Sequence, residues 1–548
     1  MLPQCSRSGD CDAGSSCIAS VCTPVGNPCQ RNQDCAHGAT CSEHDICAPP
    51  SCTSAIDCGL EQVCIQNACA PVGTPIPPVP DGGYPPPPPD AGPTCVGLQC
   101  AQVTCSGGGT TTLMGAVFDP SGQVPLYNAV VYVPNGVVKP FTPGVTCDVC
   151  GSTTTGDPLV TTLTDATGHF TLQNVPAGTS FPLVMQIGKW RRQVTIPAVT
   201  ACTTTTLTDV NQQRLPRNRS EGDIPQLAIA TGDADPFECL LLKMGLDPQE
   251  FSRPENGGRI HMYVTPPGKP LQLSDGGSPP ATSLWLDAGT LAQYDVVLLP
   301  CEGGEYRKPD AGIQNLVDYT ASGGRLFVTH YSYVWSAFNP PFNAVANWVP
   351  DPSQIHNPPD PFSGLVDTTF PKGVAFQDWL SNVGALSNGK LTIHEPRDDV
   401  GPVNVDAGTR WIYGPNPNNS TTPITTQHLT WNTPVFPPPL QDGDAGVQCG
   451  RVVFSDFHVT ASGLADNLGK FPSSCKAGAM SPQEKALVFM LFDVSSCVQD
   501  DHKPPTVCPG LGQTCSTTQA CCSGLTCLGQ SLAPCVAGEP CSCAVPIN

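Results

Sequence analysis

Apolar and polar positions alternate in short runs over residues 105–213. Two apolar runs, 113–118 and 128–133, are separated by a turn sequence at 119–122, and a second turn at 164–168 leads into another apolar run. Short strands with frequent turn signals are typical of antiparallel sheets packed face to face. The pattern therefore predicts a small β-sandwich over 105–213.

From about residue 224 the period changes. Apolar strands at 224–231, 294–300 and 325–329 alternate with helical segments, and Asp235 is the expected N-cap of the first helix. Strands that alternate with helices predict a parallel, doubly wound α/β sheet of flavodoxin-like type. We place this domain at 224–500, with a long irregular insertion before its last strand.

Cysteines replace hydrophobic periodicity in the first 70 residues. Twelve of them recur in three sets of four, at Cys5, Cys11, Cys17, Cys22, Cys29, Cys35, Cys41, Cys47, Cys52, Cys58, Cys64 and Cys69. A repeat of about 20 residues is too short to bury a core, so crosslinks must hold it. Residues 1–70 are therefore predicted to be three disulfide-rich repeats. Zinc is the less favoured alternative for each set, since the segment contains no CxxC pair.

Two further segments lack the pattern of a hydrophobic core. Residues 71–104 are rich in proline, with five consecutive prolines at 85–89, and are predicted to be a semi-rigid polyproline linker. Residues 506–548 carry eight cysteines, which are Cys508, Cys515, Cys521, Cys522, Cys527, Cys535, Cys541 and Cys543. The spacing of the first five resembles knottin-like cystine-knot miniproteins, which implies a densely bridged module.

Composition restricts the compartment and the class of partner. The chain has 548 residues, 31 cysteines and a formal net charge of −21. The acidic excess argues against nucleic-acid binding, which requires clustered lysine and arginine. So many cysteines are stable as disulfides outside the cytosol. We therefore expect a secreted or outer-surface protein, with a signal or lipid-anchoring segment upstream of Met1.

Further expectations concern the membrane, the partners and the cofactors. The longest apolar runs fall short of the ~18 residues needed to span a bilayer, so the chain is not expected to span a membrane. Extracellular glycans or other surface proteins are the expected partners. No cofactor is expected beyond weak calcium binding by the acidic chain.

The sandwich region resembles a known family. The sequences GAVFDPSGQVPLYNAVVYV and TDATGHFTLQNVPAG are similar to the carboxypeptidase regulatory-like domain, a transthyretin-like sandwich that is a non-catalytic appendage in that family. A departure from the family is an insert that holds Cys147 and Cys150, which we expect to form a disulfide clip, with a redox pair as the alternative. Trp190, Arg191 and Arg192 are a candidate ligand patch, or else a charged strand edge.

The α/β region resembles the class I glutamine-amidotransferase-like superfamily, nearest to its ThuA-like branch. The resemblance is carried by YDVVLLPCEGGE, SGGRLFVTHYSYVW, FPKGVAFQDWL and GRVVFSDFHVT. In that superfamily a nucleophilic cysteine follows the strand that matches RLFVT, whereas this chain has His330 there. The resemblance therefore implies the fold without amidotransferase activity. The overall layout resembles large secreted, cysteine-rich bacterial proteins.

Polar side chains follow the predicted strands at their carboxyl ends, where α/β proteins form their sites. The candidate catalytic residues are His330, Ser332, Asp456 and His458, and the candidate binding residues are Glu302, Glu305 and Tyr331. They suit a Ser–His–Asp hydrolase or a His/Asp metal site. The alternative is that they only cap strand ends. Cys301 lies in the same region and is expected to bond to another cysteine, with Cys239 as a candidate.

Two functions remain open from the sequence. The first is an extracytoplasmic binding or structural protein whose α/β domain is catalytically silent, with carbohydrate as a candidate ligand. The second is an extracytoplasmic hydrolase that acts on glycans or related polymers through a cleft at the strand ends.

The odd number of cysteines leads to a simple prediction. Disulfides use cysteines in pairs, so at least one of the 31 cysteines is a thiol or bonds outside the chain. We expect a thiol-reactive dye to label one thiol per denatured, unreduced monomer. A count of zero would instead indicate a covalent dimer.

Overall fold

The computed structural model describes residues 95–548 apart from short gaps, together with six short strands among the first 71 residues. The gaps are 149, 151–153, 233, 266–271, 274, 350–355, 438–445, 460–470, 474, 512, 517–520, 523–524, 530–532, 537–538, 540 and 545–548. The chain divides into two compact units, Met1–Thr94 and Cys95–Asn548.

The first unit contains three β-hairpins. They pair β1 (Ser15–Ile18) with β2 (Val21–Pro24), β3 (Thr40–Cys41) with β4 (Cys47–Ala48), and β5 (Gln62–Ile65) with β6 (Ala68–Pro71). In each hairpin the last two cysteines of a repeat are register partners, Cys17 with Cys22, Cys41 with Cys47 and Cys64 with Cys69. The sequence repeat is thus a repeat of hairpins. The bonds of these cysteines, and most of the proline-rich linker, lie outside the described residues.

Residues 112–206 form the predicted β-sandwich-type sheets. The strands are β7 (Thr112–Ala116), β8 (Val130–Pro134), β9 (Pro158–Leu163), β10 (His169–Gln173), β11 (Phe181–Ile187), β12 (Trp190–Ile196) and β13 (Thr204–Thr206). One sheet has the order β10-β7-β13 and the other the order β12-β11-β8-β9. Leu113 and Leu172 of the first sheet share a buried core with Val131 and Met185 of the second.

The α/β region contains an eleven-stranded mixed sheet with the order β15-β16-β14-β19-β20-β28-β27-β26-β22-β24-β23. The strands of the region are β14 (Leu227–Thr231), β15 (Phe251–Ser252), β16 (Ile260–Val264), β17 (Gln272–Leu273), β18 (Gly276–Gly277), β19 (Val296–Leu299), β20 (Arg325–Thr329), β21 (Ala346–Trp348), β22 (Phe362–Val366), β23 (Leu386–Ser387), β24 (Lys390–Ile393), β25 (Val400–Val403), β26 (Thr409–Pro415), β27 (Ile424–Thr433) and β28 (Gly450–Ser455).

The first six strands of that order are parallel, and the remaining five extend the sheet with antiparallel pairs. The prediction of a parallel sheet is therefore right for β15, β16, β14, β19, β20 and β28, the six strands at one side of the sheet. The insertion before β28 is not irregular, because it supplies the antiparallel half of the sheet. In the parallel half, β14 is flanked by β16 and β19, so the strand order reverses beside β14, which is the place where α/β folds bind ligands.

Helices cover both faces of the parallel strands. They are α1 (Phe237–Lys243), α2 (Thr282–Trp285), α3 (Ala288–Leu291), α4 (Asp310–Ala321), α5 (Pro371–Asn382) and α6 (Pro482–Ser495). Leu227 and Ile229 of β14 face the core that contains α1, α5 and α6. Ala228 and Ala230 face the core that contains α2, α3 and α4. Within the described residues no helix is long and apolar enough to cross a membrane.

The β-sandwich packs on the face that α5 and α6 cover. The Trp379 indole on α5 donates a hydrogen bond of 2.7 Å to the Pro125 carbonyl. The ring of Tyr127 stacks on that of Phe489 of α6, with 5.9 Å between their centroids. The sandwich and this face of the α/β layer therefore share one hydrophobic core.

Two disulfides tie the sandwich insert to the α/β region. Cys147 bonds to Cys449 and Cys150 bonds to Cys497. The expected clip between Cys147 and Cys150 is therefore wrong, and so is the redox alternative. The insert lies beside the amino ends of β20 and β28, which brings each cysteine within bonding distance of a residue more than 300 positions away rather than of its neighbour in the sequence.

The cysteine-rich tail is also a bridged module. It contains β29 (Thr514–Cys515), β30 (Thr526–Gly529) and β31 (Cys541–Ala544) in the order β29-β31-β30. Its bridges are Cys508–Cys522, Cys515–Cys527, Cys521–Cys543 and Cys535–Cys541. The first three are interlaced along the chain, an order that is compatible with the knottin-like resemblance.

The remaining bridges correct the expectation for Cys301. Three further disulfides are Cys95–Cys100, Cys105–Cys202 and Cys239–Cys475. Cys239 therefore has another partner, and Cys301 is the only free cysteine among the described residues. It is fully buried, which keeps it from the disulfide exchange that pairs exposed thiols.

Two helix starts behave differently. Ser481 caps α6 as predicted, since its hydroxyl accepts a hydrogen bond from the Glu484 amide and the Glu484 side chain accepts one from the Ser481 amide. Asp235, the expected cap of α1, does not cap it; Pro236 holds that position. The Asp235 carboxylate instead bonds to residues from other strands.

Four charged side chains form a buried ion quartet beside α6. Lys372 and Arg451 each pair with both Asp493 and Asp501, and all four are nearly inaccessible to solvent. Burial alone would raise the pKa of Asp501, but the charges of Arg451 and Lys372 outweigh it and lower the pKa below 3.8. Its contribution to stability is therefore present above about pH 4 and is lost as the pH falls further.

We expect Lys372→Met to lower the free energy of unfolding by about 3–5 kcal/mol, because it leaves two buried carboxylates with one cation. Urea unfolding measures the change. Lys503→Met is the matched control, since Lys503 is exposed and pairs with Asp500 at 3.4 Å, and it should change stability by less than about 0.5 kcal/mol. Equal losses in the two variants would contradict this role of the quartet.

Candidate functional site

Four side chains meet at the carboxyl ends of adjacent parallel strands. Asp235 follows β14, Cys301 follows β19, His330 follows β20 and His458 follows β28. These strands are consecutive neighbours in the sheet, so their ends form one continuous edge. We call these four residues the strand-end cluster.

Cys301 and His330 contact each other directly. The Cys301 Sγ lies 3.0 Å from His330 Nδ1, and the Gly303 amide donates to the sulfur at 3.4 Å. Burial raises the pKa of the Cys301 thiol, and burial together with the nearby His458 and Arg397 holds the pKa of His330 well below its usual value. Both groups are therefore neutral, and the pair is not the thiolate–imidazolium pair of a cysteine nucleophile.

His458 is oriented by Asp235. Its Nδ1 lies 2.9 Å from Asp235 Oδ1, which also accepts a hydrogen bond of 2.8 Å from the Val459 amide. Asp235 Oδ2 accepts a hydrogen bond of 2.5 Å from the Thr329 hydroxyl. Burial alone would lower the pKa of His458, but the Asp235 carboxylate raises it above its usual value. A carboxylate thus fixes the orientation of this imidazole.

The two imidazoles lie together. The ring centroids of His330 and His458 are 4.6 Å apart. His458 Nε2 lies 3.9 Å from Glu395 Oε2, and His330 Nε2 lies 3.8 Å from Asp399 Oδ2. Each histidine therefore has a carboxyl group near its Nε2.

The backbone of His330 has an unusual conformation. Its φ is +45°, in the left-handed region that residues with a Cβ rarely adopt. The preceding Thr329 is extended, with φ of −129°. The chain therefore turns sharply at the end of β20, and non-glycine residues in this conformation cluster at functional sites.

A buried acidic pair lies behind His330. The Asp399 amide donates a hydrogen bond of 2.9 Å to Asp456 Oδ2, and both side chains are almost fully buried. Burial raises the pKa of Asp399 to about 6, and burial and the Asp399 charge raise the pKa of Asp456 well above its usual value. Like charges this close disfavour ionisation of both carboxyls at once.

The structure brings His330 and His458 together, but Ser332 and Asp456 point elsewhere. The Ser332 hydroxyl is buried and donates a hydrogen bond of 3.0 Å to the Pro300 carbonyl. Asp456 faces Asp399, and the carboxylate beside His458 is Asp235. Among the described residues these side chains therefore do not assemble the Ser–His–Asp relay that was one reading of the sequence.

Of the other candidate binding residues, Tyr331 lies at the rim of the cluster and covers the His330 ring with 4.0 Å between centroids. Glu302 pairs with Lys308 at 2.6 Å. Glu305 pairs with Arg307 at 2.7 Å and accepts a hydrogen bond of 2.7 Å from the Tyr333 hydroxyl. Tyr331 therefore lies at the site, whereas both glutamates are occupied by ion pairs.

The predicted ligand patch of the sandwich is closed. Trp190 is fully buried, with its ring edge-on to Phe492. Arg191 is also buried and pairs with Asp223 at 2.8 Å. Arg192 donates to the carbonyls of Asn211 and Arg214. Arg191 is therefore part of an interior ion pair, whereas Arg192 lies half-buried on β12, the outermost strand of its sheet.

The comparisons with known proteins add no family. No family model matches the chain, and no curated protein matches it. A cytoplasmic protein from Salmonella typhimurium is similar at 10% identity, over 50% of this chain and 99% of that chain, with a TM-score of 0.27. Two mutants of a type II cohesin–X-dockerin complex from Acetivibrio cellulolyticus are similar at 15% and 13% identity, over 25% and 27% of this chain and 85% and 88% of theirs, with TM-scores of 0.14 and 0.15. Such low scores carry no argument about this chain.

Sequence reasoning missed four residues of the site, which are Asp235, Glu395, Arg397 and Asp399. Asp235 follows β14, the first strand of the region. Its position at the carboxyl end of a strand indicated a site residue, but its position before a helix led us to interpret it as a helix cap. Arg397 and Asp399 lie in the long insertion, where neither period nor motif marked them. The Arg397 guanidinium donates a hydrogen bond of 3.3 Å to the Tyr331 hydroxyl, which places a cation at the rim.

The conformation of His330 predicts an inverted order of stability. His330→Gly should be more stable than His330→Ala by about 1 kcal/mol, because only glycine adopts a positive φ at little cost. Urea unfolding of both variants measures the difference. At Thr329, which is extended, the alanine variant should be the more stable one. If alanine is the more stable residue at both positions, His330 is not strained.

Proposed function

We propose that the protein is an extracytoplasmic binding protein, secreted or anchored at the cell surface, whose amidotransferase-like α/β domain holds a ligand without turning it over. The observation that carries this proposal is the occupant of the turn after β20. His330 stands where amidotransferases have their nucleophile, and it is neutral beside an un-ionised thiol. An acyl-transfer site needs an activated nucleophile at this position.

The compartment is supported by the disulfides. Nine bridges join eighteen of the nineteen cysteines in residues 95–548. Bonds in this number are typical of proteins outside the cytosol. The twelve cysteines of the repeats in the first 70 residues suit the same compartment.

A carbohydrate is the ligand class that the rim favours. Tyr331 offers an aromatic ring, and Arg397 lies 5.2 Å from its centroid. The Arg397 guanidinium, which bonds to the Tyr331 hydroxyl, adds N–H groups that donate hydrogen bonds to hydroxyl groups. Sugars pack their C–H faces on aromatic rings and bond through their hydroxyls to charged side chains, so this combination suits a glycan.

Hydrolysis of glycans or related polymers is the second candidate function. The Asp235–His458 pair favours it, because a carboxylate-oriented imidazole is a common general base. Without a serine or cysteine nucleophile, such an enzyme would have to activate water directly.

A glycan panel separates the two functions. We expect the wild-type protein to bind a class of glycan without releasing product, and Tyr331→Ala to weaken that binding at least tenfold through loss of the aromatic contact. His330→Ala and His458→Ala test for turnover, with His502→Ala as a control at an exposed histidine. Product formation that disappears in His458→Ala but persists in His502→Ala would overturn the binding proposal in favour of the hydrolase.

A further inference from the structure

Three donor atoms in the strand-end cluster converge as metal ligands do. One sulfur or nitrogen atom each from Cys301, His330 and His458 lies within 4.8 Å of the others. The Cys301 Sγ to His330 Nδ1 distance is 3.0 Å. In a tetrahedral zinc site, bond lengths near 2.3 Å for sulfur and 2.0 Å for nitrogen separate two such ligands by about 3.5 Å. The Cys301 and His330 donor atoms would therefore have to separate by only about 0.5 Å to admit an ion between them.

The state of Cys301 supports the same interpretation. Within residues 95–548 every other cysteine forms a disulfide, and Cys301 alone keeps its thiol. The binding function proposed above makes no use of a buried thiol. A metal ion does, because a bound cation ionises the sulfur and protects it from oxidation.

Both histidines are backed by carboxyl groups, as metal-bound histidines are. Asp235 bonds to His458 Nδ1, which leaves Nε2 as the nitrogen for a metal. His330 Nδ1 faces the thiol, and its Nε2 faces Asp399 at 3.8 Å. His330 is 2% exposed, and its Nε2 has no hydrogen-bond partner among the described residues. An ion bound at Nδ1 would leave the imidazole proton on Nε2, and this N–H would point towards the Asp399 carboxyl group.

We propose that Cys301, His330 and His458 bind one zinc ion, with Glu395 as the nearest carboxylate for a fourth ligand. Glu395 Oε2 lies 3.9 Å from His458 Nε2. A thiolate with two imidazoles suits zinc and other late transition metals. Calcium, the cation that the acidic composition suggested, requires six or more oxygen ligands and does not suit this cluster. The zinc site goes beyond the proposed glycan binding and does not depend on it.

The test uses the full chain with its disulfides intact. The protein is treated with a chelator, and Zn²⁺ is titrated by calorimetry, with the metal content of the reloaded protein measured by mass spectrometry. We expect one zinc per chain. Replacing zinc by Co²⁺ should give a thiolate-to-cobalt charge-transfer band in the near ultraviolet and intense visible bands of a tetrahedral site.

The variants locate the ligands. Cys301→Ser should abolish the charge-transfer band, and both Cys301→Ser and His458→Gln should weaken zinc binding at least 100-fold. Asp235→Asn should weaken it 10- to 100-fold, because Asp235 orients a ligand without touching the ion. His502→Gln, at an exposed histidine beside Asp500, should leave binding unchanged.

Circular dichroism checks the fold of each variant. If Cys301→Ser does not fold, His458→Gln and the cobalt spectrum of the wild type decide the question. The proposal is overturned if the folded wild type binds no stoichiometric zinc, if it binds Cu²⁺ but not Zn²⁺, or if His458→Gln binds zinc as the wild type does. Loss of glycan binding would not affect these readouts, so the two proposals fail separately.

Discussion

Burial of both faces of the six parallel strands is the constraint on which residues 95–548 depend. Such strands are apolar on both faces and must be covered on both. Helices α2, α3 and α4 cover one face, and α1, α5 and α6 cover the other. The β-sandwich packs over that second face, where Trp379 and Phe489 contact it. The sandwich is therefore a layer of the same core.

The docking of the sandwich explains the disulfides that cross it. Cys147–Cys449 and Cys150–Cys497 join residues separated by 302 and 347 positions. Crosslinks over such long loops restrict the unfolded chain strongly and stabilise the folded state. They also hold the insert of the sandwich beside the amino ends of the parallel strands, where Lys189 pairs with Asp295 at 2.6 Å. Two disulfides and an ion pair thus stabilise the interface between the sandwich and the α/β region.

The same parallel sheet creates the candidate site. Parallel strands end at one edge, so Asp235 and His458 are bonded although 223 residues separate them. Cys301 alone among the cysteines of residues 95–548 keeps a thiol, and the strand ends bury it completely. The ring of Tyr331 contacts that of His330, and its hydroxyl bonds to Arg397 at the rim, so a ligand held at the rim would lie next to the cluster. The parallel sheet thus brings the strand-end cluster together and also buries its thiol.

Local pattern was enough to predict much of this protein. Alternation of apolar and polar residues predicted the sandwich, and alternation of strands with helices predicted the parallel strands. The Ser481 motif predicted the start of α6. The odd cysteine count required a sulfur without a partner in the chain. These features depend on neighbours a few residues apart, or on arithmetic alone. The sequence also placed His330 and His458 at strand ends, where sites form.

Only the tertiary structure decided which distant segments meet. In the folded chain Cys147 and Cys150 bond to remote cysteines, and Trp190 is buried. Asp235, the expected helix cap, is instead the partner of His458. The tertiary structure also folded the insertion into antiparallel strands and brought Arg397 and Asp399 to the site. Such contacts depend on strand order and domain docking, which involve residues hundreds of positions apart and leave no trace in local periodicity.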